Sequence, residues 1–180
     1  MSAIDTGAAE TELPRADRIR AAEEGDLDAI RAIYNHYVRE STVTFDEEET
    51  DAAFWVAKRA ALSTAGLPFL VLEAEGGLVV GYALVQPWRA KSAYRFSAEN
   101  SIYLAPDAAG RGRGKALLEA LLDASAAAGL REIIAVIEPT AAAASIALHR
   151  RYGFTDAGHL RGVGRKFGRS LDVVFLQKSL

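Results

Sequence analysis

The sequence predicts a mixed α/β (α+β) fold in which helices cover both faces of a central, mixed and mostly antiparallel sheet. Three observations support this prediction. Strand-like and helix-like segments alternate along 180 residues, of which half are hydrophobic and a quarter charged. In the first half, two strand-like segments flank a glycine turn, as in antiparallel pairs. In the second half, a strand–helix–strand succession is typical of parallel pairing.

Composition narrows the class of protein. The net charge of -3 argues against nucleic acid as a partner, and no apolar run approaches membrane-spanning length. Cysteine is absent, which excludes disulfides and thiol nucleophiles and fits a reducing compartment. His36, His149 and His159 are too scattered for a metal site, so none is predicted. We therefore expect a cytoplasmic protein without nucleic-acid or membrane partners.

Residues 1–16 are small, polar and acidic, which is typical of a disordered arm, and residues 17–180 form a single predicted domain. Helices are predicted from apolar residues at helical spacing, and strands from β-branched and apolar runs. The first half of the domain contains a strand at Ile19–Ala21, a helix from Glu23 to Val38, an extended segment at Ser41–Phe45, a helix from Thr50 to Ser63, and strands at Pro68–Glu75 and Leu78–Gln86.

The second half is organised around a central strand. Along Phe96–Leu104, Glu99, Ser101 and Tyr103 are expected on one face and Ile102 and Leu104 on the other. The elements that follow are a loop at 109–115, a helix marked by Leu117 to Leu122, a buried strand at Glu132–Ile137, a helix at Ala141–Tyr152, and strands at Thr155–Gly162 and Ser170–Gln177 around a basic turn, Gly164–Gly168.

The loop before the third helix favours a phosphate-rich ligand. Its glycines permit close backbone approach, and the helix N-terminus after it is electropositive. The spacing fits neither a P-loop, because Gly110 is one position too close to Gly114, nor the G-x-G-x-x-G dinucleotide fingerprint. The alternative is a glycine turn with solvated arginines. Arg89 and Lys91 are candidates to neutralise an anionic group of a substrate, with solvated surface cations as the alternative.

Several short runs, taken in order, resemble the GNAT superfamily of acetyl-CoA-dependent N-acetyltransferases, and more closely the phosphinothricin and methionine sulfone acetyltransferase family. The runs that carry this resemblance are Tyr34–Val38, Ser41–Phe45, Gly81–Ala83, Pro87–Tyr94, Ala98–Tyr103, Ala135–Ile137, Leu148–His149, Tyr152–Phe154 and Gly158–Arg161. The resemblance implies a GNAT-type fold, acetyl-CoA as co-substrate, a homodimer, and acetyl transfer to the α-amino group of a small amino-acid-like molecule of the phosphinothricin, methionine sulfone or methionine sulfoximine type.

The resemblance also implies roles for individual residues. Glu99 is the expected general base for direct attack of the amine, and His149 is the candidate contact to the sulfur of CoA or proton relay, the alternative being a histidine packed for structure. The implied cofactor-binding residues are Ile102, Tyr103, Leu104, Ala109, Gly110, Arg111, Gly112, Arg113, Gly114, Lys115, Ser145 and His149. The implied substrate-binding residues are Phe45, Arg89, Lys91 and Tyr94.

The chain departs from the family pattern at two places in the expected cofactor site. Ala109 stands where the superfamily loop usually begins with Gln or Arg, and Gly110 stands at the next position, which is often Arg. The stretch from Glu138 to Ala142 replaces a Leu-Pro-Asn run and lacks its Asn. Two other functions stay open: a GNAT enzyme that acetylates a peptide or polyamine, and a non-catalytic acyl-CoA-binding module.

Overall fold

The structure is a computed structural model that describes residues 17–180. The predicted arm at residues 1–16 lies outside this range. The strands are β1 (Arg18–Ala21), β2 (Phe69–Glu73), β3 (Val79–Pro87), β4 (Ser97–Leu104), β5 (Glu132–Ile137), β6 (Thr155–Lys166) and β7 (Arg169–Ser179). The helices are α1 (Leu27–Glu40), α2 (Ala52–Thr64), α3 (Arg113–Ala127) and α4 (Ala143–Arg151). The predicted order of strands and helices is confirmed.

The described strands form one sheet of seven, in the order β1-β2-β3-β4-β5-β7-β6. Neighbouring strands are antiparallel except β4 and β5, which are parallel, so the predicted mixed and mostly antiparallel sheet is confirmed. The parallel pairing covers only Ser97–Asn100 of β4, opposite Glu132–Ala135 of β5. Beyond these residues β4 and β5 are not paired, and a cleft opens between them.

Helices lie on both faces of the sheet, as predicted. On one face, α3 buries Leu117, Leu118 and Leu121 against β2, β3 and β4. On the other face, α1 and α2 pack Ile30 and Trp55 against β2 and β3. The predicted alternation along β4 is confirmed, because Tyr103 joins the second cluster while Ile102 and Leu104 join the first.

The largest boundary error concerns the last hairpin. The predicted basic turn at Gly164–Gly168 is too long: β6 continues to Lys166, and the turn is only Phe167-Gly168, with φ of 49° and 72°. Two residues at positive φ give the turn geometry that matches the twist of a tight hairpin. Helix α1 begins at Leu27 and not at Glu23, because Glu24–Asp26 form a 3-10 turn. Most other boundaries differ by one or two residues.

No helix within residues 17–180 is both long enough and apolar enough to cross a bilayer.

Candidate active site

A cavity of about 850 Å³ occupies the cleft where β4 and β5 part. Its size falls in the range of small-molecule sites, about 300–1,000 Å³. The wall combines side chains of α1 and α2, the segment at residues 43–46, the end of β4, the loop before α3, and α4. The predicted site residues that line it are Phe45, Glu99, Ile102, Tyr103, Leu104, Ala109, Gly110, Gly114, Ser145 and His149.

Glu99 projects into the cavity from β4 and is half-buried. Burial raises the pKa of its carboxyl group, and the positive charges of Lys58 and Arg89 oppose the rise. None of the described residues donates a hydrogen bond to this carboxylate, in contrast to Glu138, which accepts several. A half-buried carboxyl group without donors can accept a proton from a bound molecule, which is what a general base requires.

His149 lies on α4, and both of its ring nitrogens are occupied. Nδ1 lies 2.7 Å from the carbonyl oxygen of Ser145, which can only accept, so Nδ1 carries the proton. Nε2 is then an acceptor and takes the amide hydrogen of Asn100 Nδ2 at 2.8 Å. Burial lowers the pKa of His149, which keeps the ring neutral. This geometry leaves His149 no free proton and favours the structural alternative, a link between α4 and β4.

Asn100 is left with one unsatisfied atom. The residue is 7% exposed, and its Oδ1 is a buried oxygen without a hydrogen-bond partner among the described residues. The His149 geometry fixes this assignment, because exchanging the amide oxygen and nitrogen would require a proton on His149 Nε2. Asn100 lines the cavity. An unsatisfied buried carbonyl oxygen costs free energy, so a donor group on a bound molecule would be favoured here.

The glycine loop has the backbone expected of an anion site, but its two arginine side chains differ in whether they are available to a ligand. Gly110 and Gly112 take positive φ, and α3 begins at Arg113 without a side-chain cap, which leaves N–H groups of its first turn free. Arg111 is exposed. Arg113 instead turns away and pairs with Asp17 at 2.7 Å, with side chains 9% and 2% exposed. The side chain of Arg113 is thus occupied inside the protein.

Lys115 is half-buried, and together with Arg111 and Gly112 it flanks the cavity without lining it.

The segment that carries Phe45 forms a run of bends fastened to three parts of the fold. Thr42 donates a hydrogen bond to Glu138 Oε2 at 3.0 Å, and Lys166 Nζ donates to the carbonyl oxygen of Thr44 at 2.9 Å. Tyr34 donates to Asp46 Oδ2 at 2.6 Å. These bonds hold Phe45 in the cavity wall, where its ring lies directly over Gly164.

The loop that lacks the expected Asn is organised by Glu138. Its carboxylate accepts the backbone N–H groups of Thr140 at 3.0 Å and Ala141 at 2.7 Å, besides the hydroxyl of Thr42. The pKa of Glu138 is lowered because these hydrogen bonds outweigh its burial. One buried carboxylate therefore shapes the turn into α4.

Arg89, Lys91 and Tyr94 do not reach the cavity. They line a second pocket of about 360 Å³ around the turn between β3 and β4. The guanidinium group of Arg89 stacks on the Trp88 ring at 4.5 Å from its centroid. The described residues that do line the main cavity include a cation that the sequence analysis did not single out, Lys58.

Other wall residues were also missed, namely Tyr34, Asp46, Gln86, Asn100 and Glu138. Their contacts depend on tertiary packing, and the sequence carries no local signal for them. Within the described residues, no three His, Asp or Glu side chains converge as a metal site.

The sequence model of a protein family, the acetyltransferase (GNAT) domain, matches residues 19–175 of this chain. A phosphinothricin N-acetyltransferase of Alcaligenes faecalis is 44% identical over 162 residues, which cover 90% of this chain and 82% of that protein. An L-methionine sulfoximine/L-methionine sulfone acetyltransferase of Pseudomonas aeruginosa is 42% identical over 165 residues, or 90% and 94% of the two chains.

Among solved structures, a GNAT superfamily phosphinothricin acetyltransferase of Sinorhizobium meliloti, in complex with acetyl-CoA, superposes with a TM-score of 0.87. It is 40% identical, and the match covers 92% of this chain and 89% of that one.

Proposed function

Because this chain belongs to the GNAT acetyltransferase family, we propose that it transfers an acetyl group from acetyl-CoA to the α-amino group of a small amino-acid-like acceptor. The proposal depends mainly on the position of Glu99. Its half-buried carboxyl group projects from β4 into the cavity and accepts no hydrogen bond from the described residues. Relatives at 42–44% identity over 90% of the chain are named for phosphinothricin and methionine sulfoximine or sulfone.

The cavity fits an acyl-CoA molecule in three respects. The unpaired side of β4 beyond Asn100 offers backbone groups to the amide-containing arm of CoA, in the manner of an added strand. The buried Oδ1 of Asn100 lacks a donor that such an amide could supply. The loop from Ala109 to Gly112 presents free N–H groups and Arg111 to phosphates. Arg113 takes no part through its side chain, because Asp17 holds it.

In the proposed reaction, Glu99 accepts a proton from the acceptor's ammonium group, directly or through water. The free amine attacks the thioester carbonyl carbon, and a backbone N–H of β4 near Tyr103 or Leu104 stabilises the negative charge that develops on the oxygen. The C–S bond then breaks and CoA leaves as thiolate, while the nitrogen that is now bonded to the acetyl carbon gives up its extra proton to that thiolate or to water. A thiol pKa of about 8.5 makes the thiolate a fair leaving group, so a dedicated acid is unnecessary. This accords with the occupied nitrogens of His149.

Replacement of Glu99 tests whether the protein is an enzyme or only binds acetyl-CoA. Glu99→Gln keeps the shape of the side chain and removes the proton acceptor, so we expect turnover to fall by about 10²–10⁴-fold. Acetyl-CoA affinity, measured by calorimetry, should stay within a factor of about two, since the groups proposed to hold CoA are the backbone of β4 beyond Asn100 and the loop before α3. Wild-type protein that binds acetyl-CoA and turns over no amine would instead support a binding module. Unchanged turnover in Glu99→Gln would remove Glu99 from the mechanism.

We also propose that the chain functions as a homodimer. β6 is an edge strand, most of its residues are exposed, and it carries Leu160 and Val163 at 48% and 55% exposure. A long exposed edge with apolar side chains favours pairing with another chain. Light scattering coupled to size exclusion should give the mass of two chains, and Val163→Glu should shift it to one. A wild-type monomer at micromolar concentration would contradict the proposal.

A further inference from the structure

Lys58 occupies an unusual place for a lysine. It lies on α2, half-buried, and is the only lysine or arginine among the described residues that line the main cavity. Its helix is anchored one turn earlier by Trp55, which is 2% exposed and donates its indole N–H to Thr50 at 2.8 Å. The ammonium group is therefore carried by a rigid element and points at the reaction site.

Among the described residues, the ammonium group has one hydrogen bond, a cation–π contact with the Phe54 ring at 5.3 Å from its centroid, and no ion pair. Lys58 Nζ donates to Gln86 Oε1 at 3.0 Å, and no described carboxylate lies within the 4.0 Å that defines a salt bridge. Its remaining N–H groups have no protein acceptor among the described residues. A partly buried cation with unused donors is costly unless something binds it. Burial indeed lowers the pKa of Lys58, and the charges of Asp46 and Glu99 oppose the shift.

Gln86 sets the ammonium group beside Glu99. Gln86 on β3 is the direct cross-strand partner of Glu99 on β4, so both side chains project to the same face of the sheet. Lys58 and Glu99 thus present a positive and a negative group to the same part of the cavity. An α-amino acid carries its ammonium and carboxylate groups on a single carbon atom, and it can face both residues at once.

We infer that Lys58 binds the carboxylate of the acceptor while Glu99 faces its amine. The inference rests on the proposed function and adds the residue that selects the acceptor. Arg89 and Lys91 line the smaller pocket of the same chain, so within one chain Lys58 is the cation that reaches the main cavity. A fixed cation next to Glu99 disfavours a polyamine, whose second ammonium group would meet Lys58.

The test compares two acceptors on several enzymes. The acceptors are L-methionine sulfone and its carboxamide, which has the same side chain and an amine but no carboxylate. The enzymes are the wild type, Lys58→Gln, Lys58→Arg and, as an unrelated cation replacement, Arg39→Gln on the exposed end of α1. For each we would measure kcat/KM from released thiol, together with acetyl-CoA affinity and circular dichroism.

We expect the wild type and Arg39→Gln to prefer the carboxylate acceptor, and Lys58→Gln to reduce that preference by about 10- to 100-fold, the range for a hydrogen bond to a charged group. Lys58→Arg should retain most of it. Loss of Lys58 also changes the pKa of Glu99, but that change affects both acceptors and cancels in the ratio of their kcat/KM values. The different basicity of the two amines is the same for every enzyme, so it cancels when these ratios are compared between enzymes.

A preference that is equal in the wild type and Lys58→Gln would overturn the inference, even if turnover fell. So would a collapse of the preference in Arg89→Gln or Lys91→Gln with Lys58→Gln unaffected. These outcomes leave acetyl transfer intact. Wild-type enzyme that acetylates neither acceptor would overturn the proposed function and the Lys58 inference with it.

Discussion

At the scale of single residues, the hydrogen bonds that a buried carboxyl group accepts decide whether it can take up a proton. Glu99 and Glu138 are both acidic and both line the cavity, yet their pKa values move in opposite directions. Hydrogen bonds from Thr140, Ala141 and Thr42 lower the pKa of Glu138, whereas the pKa of Glu99 is raised because burial prevails over its cationic neighbours. Only Glu99 is suited to accept a proton.

The raised pKa of Glu99 predicts an acid limb in the pH profile. The base must be ionised, so kcat/KM should fall as pH drops through that raised pKa. Lys58 lowers the pKa of Glu99, so Lys58→Gln should move the limb to higher pH. Profiles of both enzymes on the methionine sulfone carboxamide would measure this, since the acceptor's own ionisation is the same for each. A limb that stays in place would show that the charge of Lys58 does not reach Glu99.

The same pKa predicts that Glu99 lowers stability. Folding raises its pKa, so the folded state holds the proton more tightly, and stability is lost as pH rises from the unfolded-state pKa through the folded one. Glu99→Gln should therefore melt at a higher temperature than the wild type at neutral pH. The difference should vanish below the unfolded pKa, where Glu99 is neutral in both states. Equal melting temperatures at neutral pH would contradict this expectation.

At the scale of elements, the loop before α3 depends on an ion pair that joins it to the start of β1. Arg113 and Asp17 are almost fully buried, and removing one leaves the other without its partner. Arg113→Met should cost about 1–3 kcal/mol of unfolding free energy. Chemical denaturation would measure it, and the Asp17→Asn/Arg113→Met double variant should recover part of the loss.

The control for this ion pair is Arg39→Met, which breaks an exposed pair with Glu49 and should cost less than about 1 kcal/mol. Equal losses at Arg113 and Arg39 would show that burial of the first pair contributes little.

The segment around Phe45 offers a second test at this scale. A methyl group at Gly164 would collide with the Phe45 ring, which can swing away because it is partly exposed. Gly164→Ala should therefore raise the KM for the acceptor several-fold while the melting temperature changes little. Gly168→Ala, whose Cβ meets no atom but is strained by a φ of 72°, is the contrasting variant: it should lower stability and leave KM unchanged. An unaltered KM in Gly164→Ala would remove Phe45 from acceptor binding.

At the scale of the whole molecule, the order of strands and helices could be predicted because periodicity is a local signal. Leu117, Leu118 and Leu121 recur as the buried stripe of α3, and Glu99 and Tyr103 share a face of β4 because strands alternate. Residues of the cavity wall were predictable only where they are close in sequence to one of these elements. Ile102 to Leu104 and the glycine loop meet because a strand leads directly into a helix.

The remaining wall residues were not predictable, because they come from elsewhere in the fold. Lys58 looks like a solvated lysine in the sequence of α2, and only packing against Gln86 brings it to Glu99. Arg89 and Lys91 precede the central strand closely, but the turn at Ser92–Tyr94 directs them to a different pocket. Arg113 was expected to bind phosphate, but its guanidinium group pairs with Asp17, which is distant in the sequence.

The central claim is acetyl transfer to an amino-acid-like amine, and thiol release from acetyl-CoA tests it most directly. The acceptors would be phosphinothricin, methionine sulfone, methionine sulfoximine, spermidine and a lysine peptide. The chain has no cysteine, so its own thiols add no signal. We predict turnover with the first three acceptors and none with spermidine or the peptide. Turnover confined to spermidine or the peptide, or none at all with acetyl-CoA bound, would contradict the claim.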